Sequence, residues 1–81
     1  MKATKFIQIG NAYAALHFDT NTVFLVNDTP DDYKAQVIHS DYEPEYMETY
    51  TTAVEITEEL FRDKFSEIVS KLQNNTPYAK N

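Results

Sequence analysis

Apolar and polar positions alternate in short runs through the first third of the chain and settle into a helical period near its end. Lys5-Phe6-Ile7-Gln8-Ile9 is β-prone, and the Gly10-Asn11 pair after it is a two-residue hairpin signal. Gly10 is the only glycine, so a turn that needs positive φ is expected there. From Ala12 to Asp19, Ala14, Leu16 and Phe18 point one way. Tyr13, Ala15, His17 and Asp19 point the other way and read as the polar face. Thr20-Asn21 supplies a second turn. Val23-Phe24-Leu25-Val26 then asks for burial on both faces. These three runs predict a β-meander.

The next stretch carries two signals. Thr29-Pro30-Asp31-Asp32 has the form of a helix start, with proline at the first helical position and acids in the first turn. Tyr33 to His39 nevertheless alternates, and β-branched Val37-Ile38 favours a strand. Ser40 to Glu45, with Asp41 and Pro44, is expected to be a loop. Met47 to Ile56, rich in Thr, Tyr and Val, predicts a further strand with Tyr50, Val54 and Ile56 on one face.

Thr57 is placed to cap a helix that runs to about Gln73. Phe61, Phe65, Ile68, Val69 and Leu72 fall within an arc of about 100°, flanked by Leu60. Glu58 and Glu59 suit the positive end of the helix dipole, and Lys71 the negative end. Glu58–Arg62 and Glu67–Lys71 are favourable i,i+4 pairs. The fold class implied is α+β, in one domain spanning residues 1–81. An antiparallel sheet of four to five strands would carry the C-terminal helix on one face, with a loose tail over residues 75–81. Tyrosines, a second short helix or another chain must then cover the other face of the Val23–Val26 strand.

Composition narrows the chemistry. A domain of 81 residues buries only about 60% of its unfolded surface, so its stability is marginal and self-association gains weight. Without cysteine there is no disulfide framework, thiol catalysis or thiolate zinc site. No signal peptide or membrane-length apolar run is apparent, which points to a cytoplasmic protein. The net charge of −6 is unevenly placed. Between Asp28 and Glu59 there are ten acids against the single base Lys34. Direct nucleic-acid binding needs clustered Lys and Arg and is not expected, nor is a membrane partner.

No motif specifies a reaction, cofactor or metal. His17 and His39 lack a ligand spacing, and surface histidines are the simpler account. Asp28, Asp31 and Asp32 lack the glycine and spacing of a calcium loop. Glu43, Glu45 and Glu48 could supply a carboxylate pair, as any acidic surface can. Ser40, Ser66 and Ser70 have no nucleophile-elbow context.

The remaining candidate is Asp41-Tyr42-Glu43-Pro44-Glu45-Tyr46-Met47-Glu48-Thr49-Tyr50. Tyrosine gives contact area at low entropic cost, and carboxylates attract a basic surface. A solvated acidic edge guarded against aggregation is the plainer account of the same residues. The function expected is a non-catalytic interaction module whose partner is a protein with a basic surface. Asp41, Tyr42, Glu43, Glu45, Tyr46, Glu48 and Tyr50 would form its contact. One sharper version is an inhibitor that occupies a nucleic-acid-binding groove, as some phage and mobile-element proteins do. Two alternatives stand beside it. One is a ligand-binding or enzymatic domain with a pocket between sheet and helix, lined by Tyr13, His17, His39 and Tyr50. The other is a homodimer subunit whose sheet faces pair.

Overall fold

A computed structural model describes residues 3–30, 33–40 and 42–75. The elements in chain order are β1 (Lys5–Ile9), β2 (Ala12–His17), β3 (Thr22–Asn27), β4 (Lys34–His39), α1 (Glu43–Glu48), β5 (Val54–Ile56) and α2 (Glu58–Asn75). The strands form one antiparallel sheet in the order β4-β3-β2-β1-β5. With α2 packed on one face, the chain has the α+β architecture its periodicity implies.

The two hairpins follow the turn chemistry. Gly10 has φ +59, and Ile9 pairs with Ala12 across the two-residue turn. Asn21 takes φ +50 at the end of the second turn, where a short amide side chain tolerates the left-handed region. Residues 34–39 resolve as a strand along the outer side of β3.

Both faces of the sheet are apolar. On one, Phe6, Tyr13, Ala15, Phe24, Val26 and Ile56 pack against Phe61, Phe65, Ile68 and Leu72 of α2. On the other, Ile7, Ala14, Leu16, Val23, Leu25 and Ile38 gather around Met47 of α1. Leu16, Val23, Val26 and Ile68 are wholly buried. The face carrying Tyr13, Ala15 and His17 is therefore the one beneath α2, not a polar face. Ala15 is small because two phenylalanines flank it: the register sets Phe6, Ala15, Phe24 and Val37 side by side across the sheet.

The expected strand over Met47–Ile56 is replaced by α1, a turn and a three-residue strand. The reason is topological. β4 and β5 lie on opposite edges, so residues 40–53 must cross the width of the sheet, four strand spacings or about 19 Å. A helical turn does this while lowering Pro44 and Met47 onto the open face. Tyr50 thus lies outside any strand and does not share a strand face with Val54 and Ile56.

α2 begins as the sequence implies. The Leu60 amide donates to the Thr57 hydroxyl at 3.1 Å, the reach of an N-cap side chain to the third helical residue. The other end is held by charge. Lys64 and Lys71 both reach the Asp28 carboxylate at 3.5 Å, and both reach Glu67 at 3.5 Å. Their ammonium groups lie over aromatic rings, Lys64 at 5.5 Å from the Tyr13 centroid and Lys71 at 5.1 Å from that of Tyr33. The Tyr13 hydroxyl, then Glu67 and Asp28, hold the Lys64 ammonium above its ordinary pKa against partial burial. For Lys71, burial pulls downward, and Asp28, Glu67 and Tyr33 together outweigh it. α2 therefore crosses the sheet diagonally, from Phe6 and Ile56 at one corner to Tyr33 at the other.

Candidate functional site

The stretch singled out by composition is built on α1. Pro44 sits in the first turn, where its missing N–H costs no hydrogen bond, and Glu43 and Glu45 lie beside the positive end of the helix. Pro44 and Met47 are buried toward the sheet. The helical period then turns Tyr42, Glu45 and Tyr46 outward. Exposure of the tyrosines is high for such large rings: Tyr42 77%, Tyr46 57% and Tyr50 40%.

Two of the rings support each other. Tyr46 and Tyr50 meet edge to face, with centroids 5.0 Å apart and planes at 76°. The Thr49 hydroxyl donates to the Tyr46 carbonyl at 2.7 Å, and the Tyr50 amide donates to the Met47 carbonyl at 3.3 Å. These bonds fold the chain back after α1 and bring Tyr50 over Tyr46. A hydrogen bond and charge interaction with Tyr46, with smaller effects of desolvation and Glu43, raise the Tyr50 hydroxyl above the usual tyrosine pKa.

The acids divide. Glu45 is exposed and Glu43 half-buried. Glu48 is half-buried and takes the Lys5 ammonium at 3.3 Å, tying α1 to β1. Asp41 lies outside the described residues. The structure thus brings together Tyr42, Glu43, Glu45, Tyr46 and Tyr50 as an outward patch, while Glu48 serves the fold. The helical start that creates the patch has a sequence signal in Glu43-Pro44-Glu45. That signal is the same proline-and-acid start found at Thr29–Asp32, whose two acids lie outside the described residues.

A second concavity lies between the sheet and the first half of α2. It measures about 410 Å³ and is lined by Phe6, Ala15, Phe24, Phe61, Phe65 and His17, with Glu58, Arg62 and Ser66 at its rim. Of the four side chains expected to line such a pocket, it contains His17 and not Tyr13, His39 or Tyr50. His17 stands edge-on to Phe24 at 5.0 Å, and its Nδ1 is 3.3 Å from the Thr4 hydroxyl. His39 has its Nδ1 3.0 Å from the Thr22 hydroxyl at the far edge. Among the described residues, no group of three or more His, Asp or Glu side chains is arranged to hold a metal ion. No described helix is long and apolar enough to cross a membrane. Compared with protein-family models, curated proteins and solved structures, the chain shows no match.

Proposed function

We propose that this protein is a non-catalytic interaction module that docks the outer side of α1 onto a basic surface of a partner protein. The observation that supports it most is the exposure of Tyr42, Tyr46 and Tyr50 on one outward patch with Glu43 and Glu45. Tyrosine rings supply large contact area at low entropic cost, and Tyr46 and Tyr50 already support each other edge to face. The two carboxylates, within a segment of ten acids and one base, select for positive charge and accelerate encounter. In the inhibitor version the same carboxylates take the place of phosphates in a nucleic-acid-binding groove. The soluble, cytoplasmic setting expected from the sequence suits this role. The test is retention of a bound partner as salt rises, for the native chain and for Glu43→Lys/Glu45→Lys and Tyr46→Ala variants. Binding should fall steeply toward about 1 M salt, where charges are screened beyond about 3 Å, and should be lost in the variants. Retention unchanged in salt and in both variants rejects the reading.

A second reading rests on the groove beneath α2. Its volume of about 410 Å³ falls in the range of small-molecule sites, and its floor and walls are phenylalanine and alanine. A small apolar molecule bound there would raise the melting temperature with concentration.

A further inference from the structure

β4 is an outer strand whose one fixed charge is Lys34 at its start. It runs six residues, Lys34-Ala35-Gln36-Val37-Ile38-His39, with no proline and no acid, in a chain that has thirteen acids. Every second N–H and C=O of an edge strand points away from its neighbour and can receive another strand. The opposite edge differs: β5 has three residues and carries Glu55 at its centre. Val37 on β4 is 63% exposed, although it stands beside Phe24 on the apolar face that α2 covers.

The diagonal course of α2 explains that exposure. Its C-terminal half lies over Tyr33, at the start of β4, and leaves the Val37–His39 end uncovered. Cover by α2 reaches Tyr33, just before the strand, while Ala35 and Val37 on the same face are both exposed.

We propose that β4 pairs antiparallel with β4 of a second copy of this chain, forming a continuous ten-stranded sheet across a two-fold axis. An axis normal to the sheet keeps the α2 sides of both copies together, as an isologous contact requires. Centred on Gln36, it sets Ala35 opposite Val37 and Tyr33 opposite His39. Centred on Val37, it sets the two Val37 side chains against each other. In both registers the Tyr33 end of one strand, where α2 lies, comes beside the Val37–His39 end of the other, so each α2 stands on the side of the other copy's exposed Val37. Charge permits it as well. Lys34 faces Ile38 or Ser40 of the second copy and never its own counterpart, so no like charges stand opposed. This contact uses β4, whereas the proposed partner contact uses the outer side of α1.

Sedimentation equilibrium of the full chain tests this, alongside hydrogen exchange followed as a function of concentration. The native chain should sediment as a dimer, with added protection confined to β4 amides. Val37→Lys should weaken association at least about tenfold, or 1.4 kcal/mol, with an unchanged far-ultraviolet spectrum. Ala35→Lys serves as a second exposed variant, and the exchange pattern of the native chain decides if neither variant folds. A monomer at all concentrations, or a dimer whose protection lies outside β4, overturns the proposal.

Discussion

Lys5 of β1 and Glu48 of α1 form an ion pair at 3.3 Å, both side chains at least two-thirds buried. The pair fastens the crossing segment to the sheet and withdraws one of the acids of the 41–50 stretch from solvent. Charge reversal should therefore act differently along α1. Glu45→Lys is expected to reduce binding of a basic partner with no loss of stability. Glu48→Lys should lower the melting temperature by setting two cations together. Thermal unfolding run beside the binding assay separates them, and equal behaviour of the two variants contradicts the division.

Met47 is the main apolar link between α1 and the sheet, and Ile68 is the fully buried centre of α2. Met47→Ala should cost about 2–3 kcal/mol and Ile68→Ala about 3–4 kcal/mol, from lost transfer energy and the cavity left behind. Urea denaturation measures both. A loss below about 1 kcal/mol at Met47 would mean that α1 is not seated as described.

The Thr57 hydroxyl caps α2, so Thr57→Ala should destabilise by about 1 kcal/mol, or about 4–8 °C in a domain of this size. Thr57→Asp should restore most of the loss, because a carboxylate accepts the same N–H and suits the helix dipole.

Alkaline titration should expose the Asp28 clamp. Lys64 and Lys71 have pKa values raised above their ordinary 10.5. A raised value means that the folded state holds the proton more tightly. Their contribution is therefore complete below about pH 10.5 and is lost as pH rises through the folded values. Tyr50, raised above 10.0, works in the same direction. Asp28→Asn removes a principal partner of Lys71 and should flatten this alkaline loss in urea midpoints measured across the range. A difference between native chain and variant that does not vary with pH would show that the clamp is not charge-linked.

The meander, the capped helix and its apolar arc were legible because each depends on local rules. Gly10 and Asn21 supply the turns, alternation supplies the strands, and Thr57 with the Phe61–Leu72 period supplies the helix. The face of Tyr13, Ala15 and His17 reads as polar in sequence because alanine and tyrosine are neutral there, yet it lies beneath α2. Only the flanking Phe6 and Phe24 show why a small residue belongs there. The 41–50 stretch is marked by composition as acidic and tyrosine-rich, but composition says nothing of the helix that residues 43–48 form. Its β-propensity was overridden by the need to cross from one sheet edge to the other, and that need follows from a strand order no local pattern reveals. The groove beneath α2 depends on the crossing angle of the helix, which is likewise invisible in the chain.

The passage of residues 40–53 beneath the sheet has a kinetic consequence. β1, β2, β3 and β4 can zip successively through short turns, whereas Phe6 meets Ile56 only after the intervening chain has been wrapped around the sheet. That ladder is three residues long and has the largest sequence separation of the strand pairings. The expected order of assembly is meander first and β5 last, since closure entropy must be met before distant contacts form. By the same logic β5 opens first, and its amides should exchange fastest among the strands whose hydrogen bonds lie inside the sheet. The molecule is thus closed by a short seam between its first and fifth strands, and the first loosening of the native state should start at that seam.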